Sequence, residues 1–237
     1  MKDLTRTILS FWNSSIGKKI LVALTGVALL LFLPGHLIGH LLVFAGQDAI
    51  NGYALFLHEL GHGAAIWIAR LGVLGAFVIH LVLTIQLTAT NRAARTQYAY
   101  PSTVQASISS RLMIWSGLTI LAFVIYHLLH FTVRIGNEYN GESYFTTLPG
   151  HQGEVHNVYK MMIDGFSWAP ASAFYIVALT LLCSHLSHGF ASVFQTLGIR
   201  SRKTTEVIRK LGWTYALLVW LGFISIPISI WIFGYGS

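Results

Sequence analysis

Apolar residues along this chain fall into five long runs separated by polar stretches, at roughly Lys19–Ala45, Ala64–Asn91, Ile108–Arg134, Trp168–Leu197 and Leu211–Gly234. Each reaches the ~20 residues that an α-helix needs to cross a bilayer. The pattern predicts an all-α integral membrane bundle of five transmembrane helices. Residues 1–18 are mixed, and Leu4, Ile8, Phe11 and Trp12 share one side, which predicts an interfacial amphipathic arm. The apolar run after Lys18-Lys19 is too long for the ~7–15 residues of a signal-peptide core, so the arm is not read as a cleaved leader. The expected organisation is an arm, 1–18, and one five-helix domain, 19–237, with spans about 19–45, 64–91, 108–134, 168–197 and 211–234.

Composition agrees. Of 237 residues, 54% are hydrophobic and 10% charged, against about 25% charged in an ordinary soluble domain. The only cysteine, Cys183, lies inside the fourth run, which excludes an internal disulfide, and no C-x-x-C-H haem-attachment motif is present.

Charge placement gives an expected orientation, because Lys and Arg gather on the cytoplasmic side of a membrane protein. Twelve of the 15 basic residues sit in the N-terminal arm, the second-to-third loop (Arg92, Arg95, Arg111) and the fourth-to-fifth loop (Arg200, Arg202, Lys203, Arg209, Lys210). Six of the eight acids, Asp48, Glu59, Glu138, Glu142, Glu154 and Asp164, fall on the opposite side. The N-terminus is therefore expected inside and the C-terminus outside. With no basic-aromatic stripe, the net positive charge reads as a membrane rim and not as a nucleic-acid surface.

Histidine is the informative residue. Seven of the 11 lie within the spans: His36, His40, His80, His127, His130, His185 and His188. A titratable ring inside a membrane helix is costly and marks a functional position, and here four consecutive helices carry at least one. At ~1.5 Å of rise per residue, His36 and His127 lie about 14 and 12 Å from the outer ends of their spans, and His80 and His185 about 24 Å from theirs. Two pairs at two depths suit two iron centres, each held between two imidazoles as in a b-type haem. His40, His130 and His188 follow at i+3 or i+4 on much the same helical faces. His40 and His130 also match in depth, so depth leaves two outer pairings open. Small residues near the ladder, Gly35, Gly39, Gly117 and Gly189, would let a flat porphyrin or a neighbouring helix approach closely.

The segments SSIGKKILVALTG (14–26), GHLIGHLLVFAGQDAINGYALFLHELGHG (35–63), RLGVLGAFVIH (70–80), SGLTILAFVIYHLLHF (116–131) and FYIVALTLLCSHLSHGFASVFQTLG (174–198) occur in this order over nearly the whole chain. Together they resemble the cytochrome b subunit of succinate:quinone oxidoreductases and fumarate reductases, in the five-helix variant with two b haems. The resemblance implies His36 with His127 as ligands of the outer haem and His80 with His185 as ligands of the inner one, leaving His40, His130 and His188 as supporting residues around the cofactors. His40 stands where many relatives have Asn. It also implies a flavoprotein (FAD) subunit and an iron–sulfur subunit on the cytoplasmic face of a bacterial cytoplasmic membrane. Electrons would pass between them and a quinone, usually menaquinone in this variant, with no dicarboxylate chemistry in this chain. Arg70, read as a buried cation in the second span, and Arg134 at the outer end of the third would contact a haem propionate.

Two other readings compete. His58-Glu59-Leu60-Gly61-His62 matches H-E-x-x-H, the pattern of a zinc protease, with Asp164 as a conceivable third ligand. Against it, the motif precedes the second span near the outer surface, Asp164 sits in the long outer loop 135–167, and the histidine ladder is left without a role. If zinc is not bound, Glu59 becomes a candidate for quinone proton transfer, with His58 or His62 assisting. A haem b subunit of a hydrogenase or formate dehydrogenase is the other alternative, and co-purifying subunits would separate the two.

Overall fold

The computed structural model describes residue 6 and residues 10–94 and 108–236. The long helices are α1 (Ser15–Leu41), α3 (Ala64–Ala93), α4 (Ile108–His127), α6 (Ala169–Thr196) and α7 (Thr205–Trp231). Two shorter ones are α2 (Gln47–Glu59) and α5 (Val158–Ser167). Among the described residues, five helices are long and apolar enough to cross a membrane: Ser15–Ala45, Ala64–Ala93, Met113–Val133, Ala169–Thr196 and Thr205–Trp231. The fold is all-α, and the chain has the character of a multi-pass membrane protein.

Boundaries differ from the expected ones for local reasons. The first helix starts inside the expected arm because Ser14 caps it, its hydroxyl accepting from the Gly17 amide at 2.9 Å. It then extends to Ala45 as a 3₁₀ turn, Leu42–Ala45. The last helix begins six residues before Leu211, where Glu206 pairs with Arg209 at 2.7 Å on a polar turn that hydropathy alone passes over. Leu4 and Ile8 of the arm, with Lys2 and Arg95, lie outside the described residues.

α1 carries Pro34 in its interior. Proline has no N–H to offer the carbonyl four residues back, so the Leu30 carbonyl loses its helical donor. The Tyr215 hydroxyl of α7 donates to it at 2.6 Å, which satisfies the gap and ties the first span to the last. α6 and α7 pack closely because Gly212 leaves no room for a side chain: a Cβ there would lie 3.1 Å from the Ser187 carbonyl oxygen.

α3 packs along α1 and barely meets α4, whereas α4 packs along α6. Two helix pairs, α1–α3 and α4–α6, therefore stand side by side, with α7 backing α1 and α6. One end of this bundle is covered by a cap. The residues 46–63 that join the first two spans form α2, and the loop 135–167 folds into a 3₁₀ turn (Glu142–Tyr144), a two-stranded antiparallel hairpin, β1 (Phe145–Thr147) and β2 (Glu154–His156), and α5.

Asn51 and Asn157 hold the cap together. Asn51 is 1% exposed; its amide donates to Asn157 Oδ1 at 3.1 Å, and its own Oδ1 accepts from the Tyr159 amide at 3.0 Å. Asn157 caps α5 by accepting from the Lys160 amide at 3.0 Å. Two free N–H groups at the start of α5 are thereby satisfied by one pair of side chains. Beneath the cap, Val43, Ile50, Phe123, Met162, Phe166 and Ile226 share one apolar core with the bundle.

Candidate functional site

The four histidines that the resemblance assigns to haem iron come together in two pairs between the two helix pairs. Toward the cap, the rings of His36 on α1 and His127 on α4 have centroids 5.8 Å apart and planes at 86°. Two imidazoles whose nitrogens each lie about 2 Å from a shared metal have ring centroids roughly 6 Å apart. At the other end of the bundle, His80 on α3 and His185 on α6 lie within electrostatic reach of each other. His80 contacts α1 at Val22 and Thr25, and ~16 Å of helical rise separates Thr25 from His36.

Hydrogen bonding fixes how the rings present themselves. His80 Nδ1 lies 3.2 Å from the Val22 carbonyl oxygen and 3.3 Å from Thr25 Oγ1. A carbonyl only accepts, so Nδ1 carries the proton and Nε2 keeps its lone pair. His185 Nδ1 lies 3.1 Å from Ser116 Oγ, whose own hydrogen goes to the Met113 carbonyl; the same tautomer follows. His127 Nδ1 lies 3.2 Å from the Tyr175 hydroxyl. A histidine held at Nδ1 by an oxygen, with Nε2 left as the donor atom, is the arrangement that metal-ligating histidines adopt. His36 makes no hydrogen bond among the described residues; it packs against Phe32, Phe223, His40 and His127.

His130 behaves differently from His127. Its Nδ1 is 3.5 Å from the Tyr175 hydroxyl and its Nε2 is 3.4 Å from the Tyr139 hydroxyl, so both ring nitrogens are engaged by tyrosines. It sits in a π-helical turn, Leu128–Val133, a departure from α geometry frequent at functional sites. His40 lies 4.4 Å from the His36 ring. Depth left His40 with His130 open as an outer pair; the tyrosines on both sides of His130 weigh against it. His188, one turn beyond His185, lies within electrostatic reach of both His185 and Arg200.

The small residues near the ladder divide. Gly117 lies at the edge of His185, and Gly26 at the edge of His80, where a Cβ would come within 3.8 and 3.5 Å of the rings. Gly39 serves the cap instead: a Cβ there would sit 2.5 Å from Tyr53 Cε1, so its role is to admit α2. Gly35 and Gly189 face open space.

Arg70, expected to be buried, is exposed. α3 packs chiefly on α1, so much of its surface is open, and the Arg70 guanidinium lies over the Trp67 ring at 5.2 Å. It is nonetheless near Arg134, whose pKa is lowered by burial and then by the Arg70 charge. Arg134 has a left-handed backbone at φ 59°, donates from Nη1 to Asn140 Oδ1 at 3.0 Å, and leaves its buried Nε without a partner. Two guanidiniums within electrostatic reach of each other, one with an orphaned donor, make a place for a hydrogen-bond acceptor.

The H-E-x-x-H match has no zinc-site geometry. α2 ends at Glu59, and Gly61, His62 and Gly63 all have positive φ, so His58 and His62 do not occupy one helical face. His58 Nδ1 is bonded to the Ala54 carbonyl at 2.8 Å. Asp164 is engaged by Lys160 and by the Tyr144 hydroxyl. Among the described residues no three His, Cys, Asp or Glu side chains gather closely enough for a metal ion. Glu59 itself is exposed at the end of α2.

Residues that sequence reasoning passed over include Thr25, Ser116 and Tyr175, polar groups inside apolar runs that turn out to hold the histidines, and Tyr139 and His156 in the cap. Compared with protein-family models, curated proteins and solved structures, the chain matches none.

Proposed function

We propose that the chain is a di-haem cytochrome b membrane anchor of a succinate dehydrogenase or fumarate reductase, passing electrons between an iron–sulfur subunit and membrane quinone. The observation that carries this reading is the pairing of His36 with His127 and of His80 with His185 at two depths. Three of the four are held at Nδ1 by an oxygen, and for His80 and His185 the partner fixes the tautomer that frees Nε2. Two b haems, when bound, supply one-electron carriers at those depths. The chain's own part is to fix ligand orientation through Val22, Thr25, Ser116 and Tyr175, and to offer Arg70 and the positive charge of Arg134 to a propionate. Its lipid-facing helices exclude water from the path. Glu59, exposed on the capped side, would take part in quinone proton transfer. The basic arm and loops would receive the iron–sulfur and flavoprotein subunits on the cytoplasmic face, and the quinone would be menaquinone, the usual one of the two-haem variant.

Haem extraction from the purified protein tests this directly. Two haem b per chain and co-purification of a flavoprotein and an iron–sulfur protein are expected. Stoichiometric zinc without haem absorbance would overturn the proposal, and a hydrogenase or formate dehydrogenase subunit as the co-purifying partner would replace it.

A further inference from the structure

We propose that Arg134 and His156 form a binding site for a hydroquinone head-group, in which Arg134 Nε–H donates to a hydroxyl oxygen and that same hydroxyl donates to His156 Nδ1. The inference rests on the quinone-linked reading above and assigns residues to its quinone step.

Arg134 Nε and His156 Nδ1 are the two buried side-chain nitrogens or oxygens without a hydrogen-bond partner among the described residues. A native fold pairs nearly all such atoms, so each orphan calls for an explanation. The two belong to one place. Arg134 donates to Asn140 at 3.0 Å, and His156 bonds the carbonyl of the adjacent residue, Tyr139, at 2.9 Å. The guanidinium is also close enough for its charge to act on the imidazole.

Their chemistry is complementary. The Tyr139 carbonyl accepts only, so His156 Nε2 bears the proton, and Nδ1 of the neutral ring is an acceptor. Burial is the main cause that keeps the His156 pKa below the ordinary 6.5, and the charges of Arg134 and His58 act in the same direction. Arg134 Nε is a donor. A carboxylate would satisfy the arginine but present a second acceptor to Nδ1. A hydroxyl satisfies both, because one oxygen accepts and donates. An exposed aromatic ring lies beside the pair: Phe145 is 5.7 Å from the His156 ring. Polar anchors beside an aromatic ring, at the edge of a membrane span, suit a flat, apolar ring that carries hydroxyls.

On oxidation the hydroquinone would give up two electrons, which ferric haem would accept one at a time when bound, and one proton from each hydroxyl. His156 Nδ1 takes the proton of the hydroxyl that it holds. The other proton passes to water at the surface, and the product is the quinone.

The test uses the complex purified with its partner subunits. Anaerobic equilibrium dialysis measures binding of a water-soluble naphthohydroquinone and of its dimethyl ether, with haem absorbance recorded throughout. The wild type should bind the hydroquinone at least about tenfold more tightly than the ether, the scale of one buried hydrogen bond. His156→Gln keeps a donor for the Tyr139 carbonyl and deletes the Nδ1 acceptor, and it should lose that preference with haem absorbance unchanged. Arg134→Lys, which keeps the charge and deletes Nε, should lose the preference as well. Equal binding of hydroquinone and ether by the wild type, or full retention of the preference in His156→Gln, would overturn the site and leave a water molecule as its occupant. Absence of haem from the wild-type complex would instead overturn the electron-transfer reading.

Discussion

The phenol oxygen of Tyr175 lies 3.2 Å from Nδ1 of His127, across the contact between α6 and α4. A ligand imidazole that donates its Nδ1–H has a more electron-rich Nε2, which favours ferric iron. Tyr175→Phe should leave both haems bound and raise the midpoint potential of the outer one by about 40 mV. That figure is the ~1 kcal/mol of one hydrogen bond expressed for a single electron. A potentiometric titration resolving two components checks it. If neither potential rises, Tyr175 serves packing alone.

Ligand assignment can be separated residue by residue. His36→Ala or His127→Ala should each reduce haem content from two per chain to one, and His80→Ala or His185→Ala should remove the other haem. His130→Ala should keep both, because both nitrogens of His130 already face tyrosine hydroxyls. Haem loss in His130→Ala with retention in His127→Ala would establish the rival outer pair, His40 with His130.

Much of this was legible in the sequence, for physical reasons that also explain the rest. Hydropathy marks spans because each must match the bilayer, and helical rise fixes relative depth, so two histidine levels were legible from spacing, while the choice of His36 with His127 over His40 with His130 came only from the resemblance. What escaped was set by tertiary partners. The residues between the first two spans read as a polar connection, yet they form α2, whose buried Asn51 reaches a partner 106 positions away. Arg70 read as buried because it lies within a span, and span membership says nothing about which face has a neighbour. The polar residues that hold the histidines were visible as breaks in apolar runs, at Thr25, Ser116 and Tyr175, but their targets depend on helix contacts that no periodicity encodes.

Pro34 and Tyr215 form a compensated pair. Tyr215→Phe strands the Leu30 carbonyl and should destabilise the bundle by about 1–3 kcal/mol, the cost of an unsatisfied buried acceptor. Pro34→Ala restores an intrahelical donor to that carbonyl. In the Tyr215→Phe background it should therefore recover most of the loss. Unfolding in mixed micelles gives the double-mutant cycle, and strictly additive effects would mean that the hydroxyl contributes nothing through Leu30.

Stability of the cap should depend on pH through His156. Burial holds its pKa below the ordinary 6.5, aided by Arg134 and His58 and opposed by the bond to the Tyr139 carbonyl. The unfolded segment therefore binds a proton at a pH where the folded one does not, and stability rises with pH wherever the unfolded state holds more protons. The contribution is complete above about 6.5 and is lost as pH falls from there through the folded value. Hydrogen exchange at β2 and the first turn of α5, corrected for intrinsic rates, should show protection falling between pH 7.5 and 5.5 in the wild type. It should change much less in His156→Gln, which has no imidazole to protonate. Equal pH dependence in the two proteins would place the titrating group elsewhere in the cap.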